Sequence, residues 1–177
     1  MYTPWLQLFT CKLVYKTRKY VTQKFKVVAT GGTFDEIHIG HQALLSKAFE
    51  LGKKVIIGVS SDEFADRVKG KGKITHSYQQ RVASLRLEIQ RNFGDVNYEI
   101  SKLNTSYGPT VISDEVDALV VSSETSKRGL EINEVRSKKG LKPLTIVSVD
   151  LVRAEDGNPI SSSRIRTGQI DPQGKLL

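Results

Sequence analysis

The chain has 177 residues, a formal net charge of +8 and 38% apolar residues, a composition that excludes wholesale disorder and lets one domain bury its own core without staples. Cys11 is the only cysteine, so an internal disulfide and a cysteine zinc site are excluded, and a reducing, cytoplasmic compartment is expected. The charge invites a nucleic-acid partner, but residues 1–26 hold six basic side chains and no acid, leaving the remainder with 21 basic groups against all 19 acids; with so nearly neutral a body, no nucleic-acid partner is expected.

In chain order, residues 1–23 read as a basic extension, a tail or an extra edge strand, ahead of a domain over 24–177. Its apolar Trp5, Leu6, Leu8 and Phe9 precede the basic residues, the reverse of a secretory signal. No apolar run reaches the roughly 20 residues that span a bilayer, so no membrane partner is expected. Phe25 to Thr30 is a β-branched run ending in Gly31-Gly32, which predicts a buried strand and a tight turn. Leu44, Leu45, Ala48 and Phe49 share one helical face, and Gly52 stands where that helix stops. Val55 to Val59 is a continuous apolar strand of the kind covered on both faces. Asp62 to Val68 predicts a short helix, and Lys69-Gly70-Lys71-Gly72-Lys73 a loop.

Ser77 caps a longer helix with Val82, Leu85, Ile89 and Phe93 on one face. Val96 to Ile100 and Ala118 to Val121 give the third and fourth strands. Glu124 to Lys139 reads as a helix closed by Gly140, Leu144 to Val152 as the fifth strand, and Ser161-Ser162-Ser163 as the start of a last short helix. Strands alternating with helices at this rate predict an α/β domain with a five-stranded, mostly parallel sheet and helices on both faces. Ligands of such sheets sit at the carboxyl ends of the strands, near a switch point in strand order, which selects the loops after strands one, two, four and five.

The first of these loops reads Gly31-Gly32-Thr33-Phe34-Asp35-Glu36-Ile37-His38-Ile39-Gly40-His41. Its glycines let backbone N–H groups approach a phosphate, Thr33 adds a hydroxyl, and His38 and His41 stand at a helix start, where anions are favoured. Imidazole donors there stabilise charge developing on a phosphoryl group in transfer. A metal site on the two histidines lacks further ligands, since the only other histidine, His76, belongs to another loop. Ser161, Ser162, Ser163 and Arg166 form a second anion cradle after strand five. Lys69, Lys71 and Lys73 follow strand two, and Ser122, Ser123 and Glu124 follow strand four, with Asn133 and Arg136 on the next helix. That polar mixture suits recognition of a base and ribose. No Ser/His/Asp or Cys/His nucleophile constellation is present.

The His38-Ile39-Gly40-His41 segment resembles the signature of the nucleotidyltransferase superfamily, and Ile160-Ser161-Ser162-Ser163-Arg164-Ile165-Arg166 resembles its second signature. Ser122-Glu124-Thr125, Asn133 with Arg136, and Val149 to Gly157 are similar to the archaeal and eukaryotic phosphopantetheine adenylyltransferases over residues 25–168. His38 stands where the bacterial branch usually has threonine. The resemblance implies a Rossmann-like nucleotidyltransferase fold, and transfer of AMP from ATP to 4′-phosphopantetheine. It implies nucleotide contacts from Gly31, Gly32, Thr33, Phe34, His38, His41, Ser122, Glu124, Ser161, Ser162, Ser163 and Arg166, with His41 and His38 catalytic. Acceptor contacts would come from Thr33, Lys71 and Lys73, and Mg²⁺ would bridge the ATP phosphates. A monomer or small homo-oligomer is compatible with all of this. Adenylyl transfer to FMN or nicotinamide mononucleotide, cytidylyl transfer, or a non-catalytic nucleotide- or RNA-binding module would use the same loops.

Overall fold

The computed structural model describes residues 23–70, 73–111 and 113–177; the expected extension over 1–23, all but Gln23, and Lys71 lie outside the described residues. Five strands, β1 (Phe25–Gly32), β2 (Gly52–Ser60), β3 (Tyr98–Leu103), β4 (Ala118–Ser122) and β5 (Thr145–Val149), alternate with helices α1 (Ile39–Leu51), α2 (Asp62–Lys69), α3 (Tyr78–Phe93), α4 (Ser126–Lys138) and α5 (Ser162–Arg166). The sheet order is β3-β2-β1-β4-β5, and every described pairing is parallel. The order reverses direction between β1 and β4, so the loops that leave these two strands part and open a crevice at the carboxyl edge. No described helix is long and apolar enough to cross a membrane.

Strand residues alternate between two cores, as a pleated strand dictates. Val28, Val55, Ile57, Val59, Ala118 and Val120 face Leu44, Leu45 and Ala48 of α1 and Leu85 and Ile89 of α3. Ala29, Ile56 and Leu119 face the other way, onto Ile132 of α4 and onto Val116 and Leu144. A third cluster, Ala154, Ile160 and Ile170 with Ile39, Val152 and Ile165, seats α5 beside the start of α1. Ser77 caps α3 as expected, within a capping box: its hydroxyl accepts the Gln80 N–H and the Gln80 side chain accepts the Ser77 N–H.

Two expectations change. Gly31 and Gly32 do not form the turn; they are the last residues of β1, still paired with Gly58 and Val59. Glycine serves close approach here: a Cβ on Gly31 would lie 3.1 Å from the Gly58 carbonyl oxygen. The reversal comes later, at Phe34, which takes a positive φ of 54°, a conformation costly for a non-glycine residue. Asn133 and Arg136 also leave the expected site. Asn133 exchanges hydrogen bonds with the Leu144 backbone. Arg136, fully buried, donates to the Lys142, Thr110 and Ser113 carbonyls; it ties α4 to the segment before β4.

Candidate active site

The crevice between the halves of the sheet is a cleft of about 780 Å³. Gly31, Gly32, Thr33, Phe34, His38, His41, Lys73, Ser122, Glu124, Ser161, Ser162, Ser163 and Arg166 all line it, so these expected contact residues meet in one place, whereas Ser123, Asn133 and Arg136 are not in its lining. The two cradles, some 120 residues apart in sequence, lie side by side: the Ser162 hydroxyl donates to the Glu36 carbonyl at 3.1 Å, and Ile39 N–H donates to the Pro172 carbonyl.

His38 is the N-cap of α1, and its Nδ1 accepts the Gly40 N–H at 3.1 Å. A neutral ring accepting at Nδ1 carries its proton on Nε2, which makes His38 a neutral N–H donor. Gly40 is required by that cap, because a Cβ there would lie 2.9 Å from His38 Nδ1. Burial pushes the His38 pKa down to about 4. His41 stacks on His38 with ring centroids 4.0 Å apart and lies 4.9 Å from the fully buried Phe34 ring. Its pKa is pushed down to about 3 by burial, then by neighbouring His38, with the Glu36 backbone offsetting part of the effect. His41 Nδ1 and Arg136 Nη2 are the buried side-chain nitrogens left without a hydrogen-bond partner among the described residues. Only the first belongs to a residue that lines the cleft.

Two residues with large structural roles in the cleft were not singled out from sequence. Arg81, fully buried on α3, donates to the Thr33 carbonyl (2.6 Å), the Ser60 carbonyl (2.7 Å), the His76 carbonyl (3.1 Å) and the Asp62 carboxylate (2.8 Å). It thereby fixes the ends of β1 and β2 to the loop before α3. Asp35, also buried, accepts from the Thr75 and His76 N–H groups and from Arg166. His76 stands on the separate loop before α3, as expected, and from there approaches Asp35 at 3.3 Å. The one available signal was Asp35 itself, an acid within the glycine-rich segment. Its partners lie 40 and 131 positions away, beyond any local pattern.

Asp35, Glu36 and His76 bring ligand atoms within 4.8 Å of one another, but the Asp35 oxygens are already taken by backbone N–H groups and Arg166. The cluster is an internally satisfied ion-pair junction and does not fit a divalent ion. On the strand-four side, Ser122 and Thr125 hydroxyls bond each other at 3.0 Å, and Glu124 is exposed on a short 3₁₀ turn rather than at the start of α4. Of the serines, Ser161 caps α5 and Ser162 holds Glu36, while Ser163 is exposed at the cleft. Neutral donors, Arg128 and Arg166, and Lys69 and Lys73 therefore surround a cleft suited to a linear phosphate chain.

The cytidylyltransferase-like family matches residues 29–168, a span that includes all of these loops. A phosphopantetheine adenylyltransferase of Methanothermobacter thermautotrophicus is 44% identical over 155 residues, covering 88% of this chain and 92% of that protein. One from Methanopyrus kandleri is 47% identical over 148 residues, covering 84% and 92%. Among solved structures, an Archaeoglobus fulgidus protein of unknown function superposes with a TM-score of 0.61 at 35% identity, over 70% of this chain and 97% of that one. A pantothenate synthetase of Thermus thermophilus, at 16% identity and a TM-score of 0.52 over 86% of this chain and 65% of that one, shares the fold alone. The chain belongs to the cytidylyltransferase-like nucleotidyltransferase family, among relatives that are phosphopantetheine adenylyltransferases.

Proposed function

We propose that the chain transfers AMP from ATP to 4′-phosphopantetheine, giving dephospho-coenzyme A and pyrophosphate. The observation that carries this reading is the meeting of the His38–His41 and Ser161–Arg166 segments in one cleft, in a chain with 44–47% identity to phosphopantetheine adenylyltransferases. An oxygen of the acceptor phosphate attacks the α-phosphorus, the bond from that phosphorus to the bridging oxygen breaks, and pyrophosphate leaves with the electron pair. The step needs no protein nucleophile; positioning and charge stabilisation suffice.

The Nε2–H of His38 and the ring of His41 face the phosphates as neutral donors, His41 stabilising the charge that builds at phosphorus. Ser161, Ser162, Ser163 and Arg166 receive the leaving pyrophosphate. Thr33 and Lys73, with Lys71, meet the acceptor phosphate; Gly31, Gly32 and Phe34 shape the wall between the substrates; Ser122 and Glu124 face the nucleoside. The described residues offer one carboxylate-histidine cluster, which is internally satisfied, so Mg²⁺ would be brought by ATP and would supply neutralisation of phosphate charge. The lone cysteine favours the cytoplasm as compartment.

Pyrophosphate release from ATP tests the reading directly. Turnover that depends on 4′-phosphopantetheine, and is absent with FMN or nicotinamide mononucleotide and with CTP in place of ATP, is the expected result. Equal release with and without 4′-phosphopantetheine overturns it. In the same assay His41→Ala lowers kcat by about a hundredfold or more, as loss of a transition-state contact does; survival of turnover within about fivefold removes His41 from the mechanism.

A further inference from the structure

Asp35 has no part in the steps above, yet it is the most connected carboxylate at the cleft. We propose that Asp35 is a positioning residue whose two oxygens serve the two substrates separately: Oδ1 holds the acceptor-side loop, and Oδ2 orients Arg166 toward the leaving phosphates. The proposal rests on the adenylyltransferase reading and deepens it.

The side chain is 2% exposed, and a carboxylate so buried must be fully satisfied. Oδ1 accepts the His76 N–H at 2.9 Å and the Thr75 N–H at 3.1 Å, and lies 3.3 Å from His76 Nδ1. These bonds fix the chain immediately after Lys73, whose side chain lines the cleft on the strand-two side. Oδ2 accepts Arg166 Nη1 at 2.8 Å and shares the Thr75 N–H at 3.1 Å. Arg166 is the last residue of the five-residue α5, and its side chain stays 27% exposed, lining the cleft. Left alone, its long side chain would sample many rotamers. Holding one guanidinium nitrogen leaves the remaining donors of a rigid fork for phosphate oxygens, at a lower entropic cost of binding. Asp35 lies three residues before His38, so one short segment carries both the phosphate donors and the brace that sets the two flanking loops.

Asp35→Asn separates the two oxygens. Asparagine keeps an oxygen for the Thr75 and His76 N–H groups but turns an N–H toward Arg166, where donor meets donor. In the full chain this variant is expected to raise the KM for ATP and the dissociation constant for pyrophosphate by about tenfold or more, with the KM for 4′-phosphopantetheine within about twofold of wild type. Asp35→Ala, which loses both oxygens, raises both KM values. In an Arg166→Gln background, Asp35→Asn adds no further loss toward ATP, because the residue it acts through is gone. If Asp35→Ala does not fold, the Asp35→Asn and Arg166→Gln pair still decides. An Asp35→Asn protein that keeps its ATP KM, or loses acceptor affinity as strongly as ATP affinity, overturns the proposal. Pyrophosphate binding measured by calorimetry needs no acceptor. A wild-type chain that ignores 4′-phosphopantetheine therefore overturns the acceptor assignment, while the Asp35 comparison stands or falls on its own.

Discussion

At neutral pH the imidazoles of His38 and His41 are uncharged, because burial holds their pKa values near 4 and 3. Under the proposed function they would meet phosphate as neutral hydrogen-bond donors, and on His38 the Gly40 cap assigns the proton to Nε2. The depressed values also tie stability to pH. Below their ordinary pKa of 6.5 the unfolded chain binds protons that the folded chain refuses, so stability is full above that pH and is lost as pH falls toward 4 and then 3. Thermal melts of the ligand-free protein should show Tm decreasing across that window, with a shallower slope in His41→Asn; parallel slopes would sink the assignment. The paired histidines and the serine run were legible in sequence because their meaning lies in spacing over four to seven residues. Asp35, Arg81 and Arg136 were not, because each is defined by carbonyls or charges that only the folded chain brings near. A buried arginine and a surface arginine read alike until their acceptors are known.

At the scale of the elements, continuous apolar runs marked the inner strands β1, β2 and β4, as a doubly covered parallel sheet demands, while the edge strands β3 and β5 carry mixed patterns. Strand ends were harder. The sequence pattern extends strand five to Val152, whereas β5 ends at Val149 and the following residues wall the cleft. Glycines misled for a related reason: a turn and a close contact both call for a missing side chain. Gly58 in β2 shows which applies. A Cβ there would lie 2.7 Å from a terminal methyl of Leu103 and 2.9 Å from its Cγ, so β3 closes over β2 only because Gly58 is bare. Gly58→Ala should destabilise the fold by about 1–3 kcal/mol, as overpacking does, read as a lower midpoint in urea unfolding. Leu103→Ala should recover part of that loss in the double variant, and strictly additive losses would show that the two do not meet.

For the whole molecule, the net charge of +8 has divided in two. The residues that line the cleft fall between positions 29 and 166, inside the family match of 29–168, while six basic side chains precede them in residues 1–26. A chain lacking residues 1–22 should therefore keep pyrophosphate release within about twofold of the full chain; an RNA-binding role for that segment would show instead as lost, salt-dependent affinity. The sheet has its own division. β1 pairs with β2 over seven positions but with β4 over only two, Val28 with Ala118 and Ala29 with Leu119. At the next residue the Thr30 hydroxyl, donating to the Val120 carbonyl at 3.0 Å, is the last stitch. Beyond it the protein is a book opened on a short spine: one leaf carries β2 and Lys73, the other β4, β5 and the Ser122–Glu124 turn. Under the proposed function each substrate would lie against its own leaf, a product joining them would be written across both, and its release would need two pages to let go together.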